Sequence, residues 1–129
     1  MKQQPFAVSR STLKDPRKAL DEVLSHVEPP ILFALIYVGA HYDVDWLTQE
    51  INRRLKGTPW IGCTTSGEIT SAGLQEEGMA LMACSDLSMQ VKAAHASGVK
   101  NNPEDAATFL ASQLQGDRFD HLPHRTDAR

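Results

Sequence analysis

The sequence predicts an α/β domain with a mixed sheet, laid out as βαβαβ followed by an antiparallel β-pair and a third helix. Three observations predict it. Residues 31–38 and 79–84 are continuously apolar, as strands buried within a sheet are. Three segments carry apolar residues at helical spacing behind a capping residue. Strand-like and helix-like runs alternate up to residue 63, and two strand-like runs then follow one another directly.

Taken in order, Phe6, Ala7 and Val8 form a short apolar run that reads as a first strand. Asp15-Pro16 starts a helix, because Asp15 can accept from the free amides of the first turn and Pro16 has no N–H to leave unpaired. Ala19, Leu20, Val23, Leu24 and Val27 then share one face, and Glu28-Pro29-Pro30 ends the helix. The run 31–38 is expected to be the core strand, covered on both faces. Asp43 is a second cap, followed by the stripe Val44, Leu47, Ile51 and Leu55 and closed by Gly57. Residues 60–63 supply the third strand, so the first three strands should be parallel neighbours joined by right-handed crossovers.

Beyond them, Gly73 and Gly78 flank an exposed turn around Gln75-Glu76-Glu77, and residues 79–84 form the next strand. Leu87, Met89, Val91 and Ala93 alternate with more polar residues, which predicts a strand pairing antiparallel with 79–84 through Ser85-Asp86. Asn102-Pro103 opens a third helix carrying Ala106, Ala107, Leu110, Ala111 and Leu114, ending at Gly116. Residues 117–129 have almost nothing to bury and read as a disordered polar tail. The expected organisation is one α/β domain over residues 1–116 and that tail.

Composition narrows the function classes. With 129 residues, 41% of them hydrophobic, and a net charge of −3, the chain has material for one core and no basic field for nucleic acid. No apolar run approaches the roughly 20 residues of a membrane span, and the chain reads as cytoplasmic. Cys63 and Cys84 sit in or beside apolar strands and are expected to be reduced, buried thiols.

The stretch Trp60-Ile61-Gly62-Cys63-Thr64-Thr65-Ser66-Gly67-Glu68-Ile69 turns from apolar to hydroxyl-rich between two glycines. It is not a phosphate loop, since no Lys-Ser or Lys-Thr follows Gly67 and Glu68 would repel phosphate. It is not a dinucleotide fingerprint either, because no third glycine opens a helix. Thr64, Thr65 and Ser66 hydroxyls, with the amides around Gly62 and Gly67, suit a ligand carboxylate, and Glu68 suits an ammonium. The alternative is a tight turn with a solvated Glu68. His41, just past the core strand, is placed to line the same cleft. Cys63 is a candidate nucleophile only if the fold brings a histidine to it. His121 and His124 are three apart without a third ligand, so no metal is expected.

The buried strand 31–38, the helix after it, the motif at 60–69, the turn at 73–78 and the strand 79–84 together resemble the N-terminal part of the FIST domain. The resemblance covers residues 5–116. Its Gly-Cys-Ser/Thr-x-x-Gly-Glu signature is met at Gly62, Cys63, Thr64, Gly67 and Glu68. The resemblance implies a non-catalytic, intracellular sensory domain for signal transduction that binds a small molecule such as an amino acid. Its partners would be a C-terminal FIST module or a signalling output domain. Two alternatives are a haem-binding nitric oxide sensor, with His41 or another histidine as axial ligand, and a thiol enzyme built on Cys63. Three helices of this length only partly cover two fully apolar strands. The chain is therefore expected to be an incomplete module that self-associates.

Overall fold

The computed structural model describes residues 4–115, so the tail expected over 117–129, with His121 and His124, lies outside the described residues. The chain divides into two compact units between Val91 and Lys92. Among the described residues, the first holds all the strands and two helices. Its elements are β1 (Phe6–Ser11), α1 (Pro16–Ser25), β2 (Phe33–Gly39), α2 (Val44–Arg54), β3 (Trp60–Thr65), β4 (Glu68–Thr70), β5 (Gly73–Gln75) and β6 (Met79–Cys84). The second unit holds α3 (Pro103–Gln113), whose Ala106 is buried. The class is α/β with a mixed sheet, as the sequence predicts.

The helices begin where the caps place them. Asp15 accepts from the amides of Arg17 and Lys18 at 2.9 and 3.2 Å, and Asp43 accepts from that of Trp46 at 3.1 Å. Asn102 accepts from Asp105 at 3.2 Å and is followed by proline at the first helical position.

The main sheet has the order β1-β6-β2-β3. Strands β2 and β3 are parallel, while β6 runs antiparallel to both β1 and β2. Both crossovers, β1-α1-β2 and β2-α2-β3, advance across the sheet in the same direction. Crossovers of one hand that advance in one direction put their helices on one face. The core therefore lies on one side of the sheet, where Leu20, Val23, Leu47 and Ile51 meet Ala34, Ile36, Val38, Met79, Leu81 and Ala83.

That arrangement corrects the expectation that the core strand is covered on both faces. In the first unit no helix lies on the second face, where Val8 is 63%, Ile61 49% and Tyr37 40% exposed. On that second face of β2, Phe33 and Leu35 are half-buried and Tyr37 is exposed, so the apolar run is fully covered on the helix face alone.

A second correction concerns residues 87–93, which form no strand. The antiparallel partners of β6 are β1 and β2, so both its edges are already filled and no strand can add to it through a tight turn. The separate antiparallel pair is the hairpin of β4 and β5, in which Glu68 faces Gln75, Ile69 faces Leu74 and Thr70 faces Gly73. Part of the turn expected over 73–78 is thus strand. Gly73, at φ 105°, makes the reversal between β4 and β5, and Glu77, at φ 53°, makes the one between β5 and β6. Among the described residues no helix is long and apolar enough to cross a membrane.

The one-sided core makes a measurable contrast between the two faces of the sheet. Leu81→Ala, on the helix face, is expected to cost about 2–5 kcal/mol in denaturant unfolding. Ile61→Ala, on the other face, is expected to cost under about 1 kcal/mol.

Candidate functional site

The motif stretch is mostly strand. Thr64 and Thr65 continue β3, pairing with Val38 and Gly39, and β-branched threonines suit that pleated conformation. The hydroxyl-rich loop of the sequence reading shrinks to Ser66-Gly67. Strand β3 is the outer strand of the sheet, and residues 61–64 are exposed along its length.

Glycine at position 62 is required by the strand pairing. A Cβ there would stand 2.2 Å from the Ile36 carbonyl oxygen, so any side chain would push β3 off β2. At the start of the strand, Trp60 Nε1 donates to Asn52 Oδ1 at 2.8 Å and ties β3 to α2. Between these elements lies a cleft of about 120 Å³. Ile36, Val38, Leu47, Ile51 and Trp60 make it apolar, Thr48 and Thr64 add hydroxyls, and Gly62 and Cys63 complete the β3 side. The Thr48 hydroxyl donates to the Val44 carbonyl at 2.8 Å, so its oxygen can still accept.

The rest of the motif holds the end of β3. Glu68 is only 5% exposed, which departs from the solvated carboxylate of the simpler sequence reading. Thr65 Oγ1 donates to Glu68 Oε2, and Gln75 Nε2 donates to Glu68 Oε1 at 3.0 Å and to the Met79 carbonyl at 3.2 Å. Arg10 Nη1 donates to Gln75 Oε1 at 3.4 Å. A Cβ on Gly78 would stand 2.7 Å from Gln75 Nε2, so glycine there makes room for the amide. Among the described residues no buried side-chain nitrogen or oxygen lacks a partner.

Tyr42 is buried beside this cluster and donates its hydroxyl to the Leu13 carbonyl. Burial, and then the Glu68 charge, push its phenol pKa above the ordinary value of 10.0. His41 is exposed and packs against Tyr42, with ring centroids 4.0 Å apart and the ring planes tilted by 38°. Gly39 leaves room for that imidazole, since a Cβ there would lie 2.9 Å from His41 Nδ1.

The structure therefore gathers Gly62, Cys63 and Thr64 onto the cleft, while Thr65 ends β3, Ser66 and Gly67 form the turn, Glu68 opens β4, and His41 stands past the end of β2. Sequence reasoning missed Gln75, Tyr42 and Arg10. The available signal was the spacing of Glu68 and Gln75 about a short hairpin, which puts both polar side chains on one face and Ile69 and Leu74 on the other.

Of the two cysteines, Cys84 is buried as expected, whereas Cys63 is exposed. The sequence expectation fails there because, among the described residues, β3 has a strand on only one side, and Cys63 falls on the face that carries neither helix of the first unit. No base hydrogen-bonds to its thiol among the described residues. The described residues also hold no group of three His, Cys, Asp or Glu side chains placed to bind a metal ion.

Residues 32–127 match the family model described as the FIST N domain. No curated protein and no solved structure matches the chain.

Two outcomes follow from this geometry. In the native protein Cys63 should react with a maleimide as an accessible thiol, whereas Cys84 reacts only as fast as the domain opens, and Cys63→Ser abolishes the fast phase in mass spectra. The raised Tyr42 pKa means that its neutral form is stabilised by folding, so this contribution is intact below pH 10 and is lost as pH rises through the folded-state pKa. Tyr42→Phe should cost about 0.5–1.5 kcal/mol at neutral pH and should flatten the alkaline decline measured by urea titration.

Proposed function

This chain belongs to the FIST N domain family, a family of signal-transduction sensory domains, and from that premise we propose that it binds a small molecule in the cleft between α2 and β3. The observation that carries the reading is the coincidence of that cleft with the first half of the family signature. Gly62, Thr64 and the backbone of Cys63 form one wall, and the opposite wall belongs to a helix that follows directly from β2.

A cleft of about 120 Å³ with apolar walls and two hydroxyls suits a compact ligand with a short apolar part and one polar end. An amino acid is the first class to try. Its side chain would lie against Ile36, Leu47 and Trp60, and its charged end would be met by the Thr48 and Thr64 hydroxyls. The outer edge of β3 supplies further N–H and C=O groups, because among the described residues that strand is paired on one side only. Glu68 acts through position: by accepting from Thr65 and Gln75 it fixes the end of β3. A signal would arise if the ligand prefers the state in which α2 is seated over β3, and a C-terminal FIST module or an output domain would read that preference. No step requires bond chemistry.

Calorimetric titration with the common amino acids tests the reading. One of them should bind, and Thr48→Leu, which fills the cleft with an apolar group, together with Thr64→Val should weaken it by at least about tenfold, or 1.4 kcal/mol. Glu68→Gln should weaken it less, because the amide oxygen still accepts from Thr65. Binding that survives the Thr48→Leu, Thr64→Val pair would remove the cleft from the mechanism.

A further inference from the structure

We propose that two copies of this chain associate through antiparallel pairing of β3 with itself across a two-fold axis, closing the α2–β3 cleft of each copy against the other. The closing of the cleft bears on ligand binding only through the function proposed above; the pairing itself stands on separate observations.

The first is the state of the strand edge. Proteins guard exposed edges with charges, prolines, bulges or cover. Among the described residues of the first unit, β3 has none of these: Trp60-Ile61-Gly62-Cys63-Thr64-Thr65 is uncharged, free of proline, and exposed from 61 to 64. The opposite edge, β1, carries Arg10. An uncharged strand can meet its own copy without placing like charges opposite one another, and an antiparallel pair about a two-fold axis satisfies both edges equally.

The second observation identifies the occupant as a copy of this chain. Helix α2 returns between β2 and β3 and runs against their direction, with Asn52 of its last turns bonded to Trp60 at the start of β3. Strands lie about 4.8 Å apart, so a helix seated over the β2–β3 gap would lie about 10 Å from its symmetry mate in a continuous sheet, which is the ordinary packing distance of two helices. The two helices would be antiparallel. Each has an acidic start, at Asp43 and Asp45, and a basic end, at Lys56 just past the helix, while Arg53 is already paired with Glu50 on its own helix, so every acidic end would face a basic one. Between these ends, Val44, Thr48 and Asn52 follow one another at four-residue spacing as an exposed, uncharged stripe on the cleft side of α2. A foreign peptide added to β3 would leave that charge pattern unanswered.

Sedimentation equilibrium of the whole chain in the absence of ligand tests the pairing. The wild type should be a dimer at micromolar concentration. Ile61→Lys places like charges across the new ladder and should raise the dissociation constant by about a hundredfold, with the far-UV circular dichroism unchanged. Asp45→Lys and Lys56→Glu should each weaken the dimer, and the double variant should recover it, a rescue that misfolding cannot imitate. A monomeric wild type would overturn the proposal. So would a dimer indifferent to Ile61→Lys and to both charge reversals, which would place the contact elsewhere, for example on the exposed Ile69 and Leu74. Loss of amino-acid binding with the dimer intact would fail the functional reading alone.

Discussion

The first unit depends on the insertion of β6 between β1 and β2. Strands β1 and β2 are parallel but not adjacent, because α1 carries the chain over one strand position, and only a strand from later in the chain can fill that gap. Strand β6 fills it antiparallel on both sides, bringing Met79, Leu81 and Ala83 opposite Ser11, Ser9 and Ala7 on one flank and Val38, Ile36 and Ala34 on the other. Non-local pairing of this kind requires the loop closure of the whole intervening chain, so the sheet, the two-helix layer and the cleft form together.

Burial follows from that topology. One face of the sheet receives both helices and nearly all the large buried side chains, and the other is left to strand residues of mixed exposure. Small polar groups are tolerated on the covered face where they have partners: Ser9 is buried beneath α1 and donates to the Val23 carbonyl at 2.7 Å, tying the first strand to the end of the first helix. At the helix surface, Arg54 reaches both Asp21 on α1 and Glu50 on α2, the first pair half-exposed and the second partly buried, and together they tie the two helices.

The hairpin of β4 and β5 inverts the usual pattern. Glu68 and Gln75 face inward, while Ile69 and Leu74 are 85% and 69% exposed. Burying a carboxylate and an amide is costly unless both are hydrogen-bonded, and here Thr65, Arg10 and the Met79 carbonyl complete the network. The hairpin is thus held by polar bonds rather than by its apolar side chains. That network links the end of β3 to the start of β6, so the family signature and the central strand share one support.

By itself the sequence determined the local structure: the starts of the three helices at Asp15, Asp43 and Asn102, their apolar faces, the existence of the strands around 33–39, 60–65 and 79–84, and the motif that identifies the family. Caps, helical periodicity and β-branched runs act over one or two turns of chain, so they can be read from neighbouring residues. Tertiary structure alone decided which strands are neighbours, and with that the one-sided core, the exposure of Cys63, the inward turn of Glu68 and the failure of 87–93 to pair. The apolar run of β2 reads alike whether helices cover one face or two, and Cys63 reads alike in a central or an outer strand. What distinguishes these cases is the direction in which successive right-handed crossovers advance and the late arrival of β6 in the gap they leave, and neither is written in any local stretch of residues.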